Sequence, residues 1–253
     1  MALAPNDIMD INLFGLYYHL ADCGHYNCEK LDFGSYITGS PVKFLNKIFA
    51  LQYLVSEPNI EKLTQLIETG KAPNNIMFNN KKVALSFENI ILNKQYSQIV
   101  AWPGMLKVLH SQLPNITDNL VSIEVVNDYK SLEKWQTIIE YGLYNGQKQD
   151  ISFFLNLINS ANIKLFMAYY KDEPATVIMS YINDDTLGLY MLATLYEYRR
   201  LGLARAIMTY IINNAYSEGL KYAILQATEA GYALYKELGF EEYCQYKVFE
   251  YKP

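Results

Sequence analysis

The chain has 253 residues, 51% of them hydrophobic and 19% charged, which supplies ample material for a buried core and excludes a disordered chain. Its formal net charge of -5 argues against a general nucleic-acid binder, whose surface is dense in Lys and Arg. Three cysteines, an odd number, make no disulfide framework; no signal-peptide pattern opens the sequence and no run reaches the ~18 apolar residues of a membrane span, so a cytoplasmic protein without membrane association is expected.

In chain order, Leu13 to Ala21 predicts a helix, Val42 to Leu51 a strand-like run and Ile60 to Glu68 a second helix. Ile76 to Phe78, Val83 to Phe87 and Gln98 to Trp102 are short strand candidates. His19, Cys23, His25 and Cys28 crowd together, but zinc patterns usually separate two ligand pairs by roughly a dozen residues, and no metal is expected here. Leu113 to Asp118 is mostly polar and contains Pro114. The domain boundary is placed there, giving domains 1–118 and 119–253.

The second half alternates strands and helices. Val121 to Val126 reads as a strand, Ser131 to Leu143 as a helix with Leu132, Trp135, Ile138 and Ile139 near one face, and Asp150 to Asn159 as a further helix. Ile163 to Tyr170 and Ala175 to Ile182 are β-rich, separated by a turn at Lys171–Pro174. Thr186 to Leu195 reads as a buried strand. Ala204, Ile207, Met208, Ile211, Ile212 and Ala215 then mark one stripe of a helix that Gly219 ends. Tyr222 to Ala227 is a strand, Glu229 to Leu238 a short helix closed by Gly239, and Glu241 to Tyr251 a last strand. An antiparallel start followed by a βαβ crossover predicts an α/β fold with a mixed sheet and helices on both faces.

Only three of the 21 basic residues are arginines, and they are Arg199, Arg200 and Arg205. They flank Gly202, between a buried strand and the clearest helix of the chain. A helix start presents unpartnered N–H groups and a partial positive charge, which together suit an anion. Glycine lets a phosphate approach the backbone, Ala204 keeps the next turn small, and guanidinium forks match phosphate oxygens. The combination points to a pyrophosphate. A P-loop is excluded because no Lys-hydroxyl pair follows Gly202.

Arg199-Arg200-Leu201-Gly202-Leu203-Ala204 resembles the R/Q-x-x-G-x-G/A signature of the GNAT acetyltransferase superfamily. Ala193 to Tyr198 is similar to that family's fourth strand running into its CoA turn, and Thr228 to Phe240 resembles its second block, with Leu234-Tyr235 and Gly239-Phe240 in place. This block carries Thr228 where the family usually has Asn and Gly231 where it usually has Ala; Tyr196 stands where proline is frequent. The resemblance covers about residues 121–253. It implies a GNAT acyl-CoA N-acyltransferase fold there, with acetyl-CoA as cosubstrate and an amine, amino acid or peptide amine as acceptor.

The same resemblance implies site roles. Leu192, Ala193 and Thr194 would offer strand-edge groups to the pantetheine arm. Arg199, Arg200, Leu201, Gly202, Leu203, Ala204 and Arg205 would cradle the pyrophosphate, with Thr228 a further cofactor contact. Tyr235 would protonate the departing thiolate, for which a phenol with pKa ~10 is suited. No general base is assigned: Glu197, Asp184, Asp185 and Tyr190 lie near the strand, and water can carry the amine proton. Ala101-Trp102-Pro103-Gly104-Met105-Leu106 resembles a segment of tandem-GNAT proteins, which implies a degenerate GNAT-like domain in residues 1–118. An unrelated α+β partner domain is the alternative. The expected activity is N-acetyl transfer by direct attack in a ternary complex; an acyl-CoA sensor or protein-interaction module on the same fold is the second reading. Oligomeric state, a homodimer included, is left open.

Overall fold

The computed structural model describes residues 3–52, 55–84, 86–114 and 119–252. In chain order the elements are α1 (Pro5–Gly24), β1 (Asn27–Leu31), β2 (Gly34–Thr38), β3 (Ile48–Phe49), α2 (Glu57–Glu68), β4 (Asn75–Asn79), α3 (Phe87–Leu92), β5 (Tyr96–Val108), β6 (Val121–Val125), α4 (Tyr129–Gly142), α5 (Ile151–Leu155), β7 (Ile163–Tyr170), β8 (Glu173–Asn183), β9 (Thr186–Thr194), a 3-10 turn (Tyr196–Tyr198), α6 (Leu203–Ser217), β10 (Tyr222–Gln226), α7 (Glu229–Glu237) and β11 (Glu241–Tyr251). They fall into two compact units. The first runs to Gly104 and takes in Gln226–Thr228 and the chain from Glu242 on; the second holds Met105–Leu225 and Glu229–Glu241.

In the first unit the strand order is β1-β2-β3-β4-β11-β5. The β1–β2 hairpin and the β2–β3 and β4–β11 pairs are antiparallel, whereas β3 runs parallel to β4. Helix α1 starts with a proline in its first turn, where the missing N–H has no intrahelical role. It ends at His25, whose left-handed conformation lets its N–H reach Asp22 O. Phe78 meets Phe87 edge-on at 4.9 Å and stacks on Phe249 at 5.6 Å, so the last strand of the chain completes the core under β4.

Lys47 is 6% exposed in this unit and lies over the Tyr17 ring at 5.3 Å. Burial pushes its pKa down to about 8, because a charged ammonium loses more hydration than the ring returns. Between about pH 8 and 10.5 the unfolded chain therefore holds the extra proton, and stability should rise with pH through that window. Lys47→Met is expected to raise stability at pH 7, by up to about 3 kcal/mol, and to abolish the rise. Urea unfolding at pH 7 and 10 checks this; an unchanged pH slope in the variant would assign the effect elsewhere.

In the second unit the order is β5-β10-β9-β8-β7-β6. The β6–β7, β7–β8 and β8–β9 pairs are antiparallel, and β9 and β10, joined through α6, are parallel. Helix α4 opens on a capping box in which Asp128 accepts from Ser131 N at 2.7 Å, and Trp135 packs on Phe154 at 5.1 Å. Of the stripe spaced in the sequence, helix α6 buries Ile207, Met208, Ile211, Ile212 and Ala215, whereas Ala204 is only half-buried and Leu203 is buried beside it. The expected α/β mixed sheet is present.

Several local expectations change. Of Val42 to Leu51 only Ile48–Phe49 is strand. Pro41 and Asn46 make the rest a loop, with Asn46 bonded to both Ser40 N and Ser40 O at 3.0 and 2.8 Å, while Val42 and Leu45 still fill the core. Val83 to Phe87 is not a strand among the described residues: Phe87 starts α3, and Leu85 lies outside them. The helix expected over Asp150 to Asn159 is shorter, at Ile151–Leu155. The sequence divides the chain at 118/119, and 115–118 lie outside the described residues. The two compact units part at 104/105, which leaves that division of the sequence an expectation, and the chain from Glu242 on joins the first unit, because β11 ladders to β4 from Tyr246↔Asn79 to Glu250↔Asn75.

Candidate functional site

Strand β9 is regular only at its start. It pairs with β10 through Thr186, Leu187 and Gly188 alone, so from Leu189 onward its β10-side edge carries no ladder. On the other side the register to β8 jumps, with Met179↔Tyr190 followed by Val177↔Ala193. Two residues, Met191 and Leu192, oppose Ile178, and Met191 adopts φ 56°. A bulge of this kind bends a strand and re-aims its backbone groups. Leu192, Ala193 and Thr194 thus sit at a bent strand end with an open edge, whose backbone donors and acceptors seek partners.

The chain then turns through the 3-10 segment into α6 by two left-handed residues, Arg200 (φ 64°) and Gly202 (φ 78°). Gly202 is the N-cap of α6, and no side chain caps this helix start. The first-turn N–H groups of Leu203, Ala204 and Arg205 therefore lack both intrahelical and side-chain acceptors. A Cβ built on Gly202 would meet nothing within 4 Å. Open space in front of uncapped amides, with the helix dipole behind them, is what a phosphate needs; the residues present fit a diphosphate group.

The three arginines behave differently. Arg199 donates from Nε to Thr194 O at 3.2 Å and from Nη2 to Gly142 O at 3.4 Å, and lies over the Tyr196 ring at 5.6 Å. It ties the C-terminal end of α4 to the end of β9. That approach is close: a Cβ on Gly142 would sit 3.1 Å from the Ala193 Cβ and 3.2 Å from Thr194 O. Arg205 pairs with Glu237 of α7. Both partners are substantially exposed, so the pair stabilises by at most about 1 kcal/mol, but it occupies the guanidinium. Arg200 alone is exposed without a carboxylate or carbonyl partner among the described residues.

Tyr235 is buried in α7, its ring 6.3 Å from Phe240. Desolvation pushes its pKa up to about 12, which keeps the phenol protonated at neutral pH. A Cβ on Gly231 would lie 2.6 Å from Tyr235 Cε2 and 2.8 Å from its hydroxyl oxygen; the phenol folds back over the helix turn before it, as long helical side chains do. The second unit thus holds Leu192, Ala193, Thr194, Arg199 to Arg205 and Tyr235 together. Thr228 is exposed just before α7 and is grouped with the first unit.

Among the carboxylates near β9, Asp184 and Asp185 precede its paired end. Asp185 bonds Lys221 at 2.9 Å, which holds its carboxyl below the usual range. Eight strand positions, roughly 25 Å of chain, separate Asp185 from Ala193, too far to reach chemistry there. Glu197 is exposed in the 3-10 turn. Sequence reading missed the Arg199 clamp, for which Gly142 inside a helix was the available signal, and the bulge at Met191, which nothing in the pattern announces. In α1, His19 Nε2 and Cys23 Sγ are 3.5 Å apart; among the described residues no three His, Cys, Asp or Glu side chains are grouped to hold a metal ion. No described helix is long and apolar enough to cross a membrane.

Residues 129–240 match the Acetyltransferase (GNAT) family. Comparison with curated proteins returns no match. Among solved structures, the chain is similar over 100% of its length to 97% of a GCN5-related N-acetyltransferase from Kribbella flavida (TM-score 0.76, 14% identity). It is also similar over 100% of its length to 95% of a GCN5-related N-acetyltransferase from Sphaerobacter thermophilus (TM-score 0.67, 12% identity). At these identities the likeness is one of fold, and it extends through the N-terminal half.

Proposed function

Taking residues 129–240 as a domain of the GNAT acetyltransferase family, we propose that this protein is an N-acetyltransferase that moves the acetyl group of acetyl-CoA onto an amine by direct attack in a ternary complex. The observation that carries this reading is the uncapped start of α6 behind left-handed Gly202, joined by one short turn to the open, bulged end of β9. Acetyl-CoA, when bound, supplies the activated acyl group.

The chain's own residues then have separable tasks. Backbone N–H groups of Leu203, Ala204 and Arg205, with the Arg200 guanidinium, hold the diphosphate. The free edge at Leu192 to Thr194 aligns the pantetheine and polarises the thioester carbonyl, chemistry in which fixed donors outperform water. The acceptor nitrogen attacks the carbonyl carbon, its proton passes to water, and the C–S bond breaks. Tyr235 donates its phenolic proton to the departing sulfur and regains one from the water that took up the amine proton. Residues 1–118 serve as a partner domain that has lost cofactor chemistry; the acceptor is a small amine, an amino acid or a peptide amine.

Thiol release from acetyl-CoA over a panel of amines, amino acids and peptides tests the reading. Saturable, acceptor-dependent release supports it. Tight acetyl-CoA binding with no release for any acceptor would favour the acyl-CoA sensor or protein-interaction module, a reading to which Thr228 and Gly231, in place of the family's usual residues, lend support. The arginine geometry adds a ranking. Arg200→Ala is expected to weaken acetyl-CoA by about 10- to 100-fold, as for a lost charge-assisted bond, and Arg205→Ala by less than about threefold, since its charge is already paired. Calorimetry at low and high salt reads both; the opposite ranking would mean that Arg205 leaves Glu237 for the phosphate.

A further inference from the structure

We propose that the first unit carries a second small-molecule site, which takes an apolar α-amino acid with its ammonium on Asp10 and its carboxylate on Lys81. The proposal goes beyond the acyltransferase reading and does not rest on it. Strands β3 and β4 run parallel but pair only at Ile48↔Ile76. Two residues on, Ala50 turns left-handed at φ 55°, as Met191 does at φ 56° beyond the last β10-paired residue of β9. In both units a parallel pair therefore opens next to a left-handed residue. The helices that follow differ. Helix α2 has Glu57 and Pro58 in its first turn, and Ser56 donates from its N–H and its hydroxyl to Asn59 Oδ1 at 2.8 and 2.6 Å. A helix start that carries a carboxylate and lacks one N–H is a poor seat for a diphosphate. The opening at Ala50 suits a different ligand.

An open cavity of about 310 Å3 lies there, at the lower end of the ~300–1,000 Å3 of ligand pockets and of a size for an amino acid. Buried Phe14 and Leu51, with Ala50 and Ile11, give it an apolar wall. Asp7 and Lys82 at its edge are paired with each other, but two further charges line it without a counter-charge bonded to them. Asp10 Oδ1 accepts from Tyr246 OH at 2.6 Å and from Asn79 Nδ2 at 2.9 Å, whereas Oδ2 has no hydrogen-bond partner among the described residues. Burial raises the carboxyl pKa against those two bonds, so this carboxylate is one that water serves poorly and a cation would serve well. Lys81 is exposed, and its ammonium meets no carboxylate among the described residues. Asn79 holds both groups in place, since its Oδ1 also accepts from Lys81 N at 2.9 Å. An acceptor and a donor of opposite charge beside an apolar wall match a zwitterion that carries an apolar side chain.

Calorimetry of the full chain with L-leucine tests the proposal, with 3-methylbutylamine, which lacks only the carboxylate, as the companion probe. Leucine is expected to bind saturably with a Kd below about 1 mM, and the amine about 10-fold more weakly. Asp10→Asn should weaken leucine by about 10-fold or more, as for a lost charge-assisted bond, and remove measurable heat with the amine. Lys81→Gln changes only an exposed side chain; it should weaken leucine by about 10-fold and leave the amine within about twofold. Ile11→Trp, at a position 44% exposed, should fill the cavity and remove binding of both probes. No heat with leucine, equal affinity for leucine and the amine, or leucine affinity unchanged in both Asp10→Asn and Lys81→Gln would overturn the proposal. Should Asp10→Asn fail to fold, Lys81→Gln and Ile11→Trp decide by the same readings. In Gly202→Glu, leucine should bind as in the parent protein whether or not acetyl-CoA does, so failure of this site and failure of the acyltransferase reading are told apart.

Discussion

Gly202→Glu is expected to abolish measurable acetyl-CoA binding while leaving the protein folded. At φ 78° a residue with a Cβ is strained by about 1–2 kcal/mol, yet no atom lies within 4 Å to clash with it. The new carboxylate stands at the uncapped start of α6, where a negative charge interacts favourably with the helix dipole. That recovers part of the strain and puts an anion at the proposed diphosphate site. Gly202→Ala separates the two effects: it carries the strain without the charge and should bind acetyl-CoA more weakly but detectably. In a thermal-shift assay, acetyl-CoA at 100 times its Kd should stabilise the parent protein by about 2.7 kcal/mol, and the Glu variant should show no shift. A normal shift in that variant would place the diphosphate away from α6.

Tyr235→Phe is expected to lower kcat by about 100-fold or more, within the range for loss of a general acid, with acetyl-CoA affinity nearly unchanged. The ring and its packing against Phe240 stay, so only the hydroxyl is lost. Because burial holds the phenol's pKa near 12, Tyr235 remains protonated across the neutral and mildly alkaline range. The parent protein should therefore keep its turnover as pH rises from 7 to 10, apart from losses due to acceptor or substrate chemistry. Steady-state rates from pH 7 to 10 for both proteins check this. Equal rates would remove Tyr235 from proton transfer and leave the thiolate to take its proton from water.

The turn from β9 into α6 was legible because its signals are local. A buried strand, a turn with a glycine and every arginine of the chain, and a helix with one apolar stripe occupy consecutive residues, and local propensity and periodicity agree over all of them. The hairpin over Asn27–Leu31 and Gly34–Thr38 was not legible: its first strand is Asn-Cys-Glu-Lys-Leu, mostly exposed, with none of the alternation that marks a half-buried strand. Helix α1 was found only from Leu13 on, because Asn6, Asp7, Asp10 and Asn12 break up the apolar pattern of its first half although Asn12 is itself buried.

By itself, then, the sequence determined the element order of residues 121–251, the α/β class and the turn at Arg199 to Ala204, since each depends on residues within one turn or one strand of each other. Only the tertiary structure decided which arginine is available, because Arg205 is paired by Glu237, 32 positions away, and Arg199 reaches back to Gly142. It also decided that β11 ladders to β4, that β9 bulges at Met191, and that Asp185 stands at the wrong end of its strand. These are pairings across long sequence separations. Their free energy comes from backbone ladders and charges that meet only once the sheet has formed, and no local pattern encodes such partners.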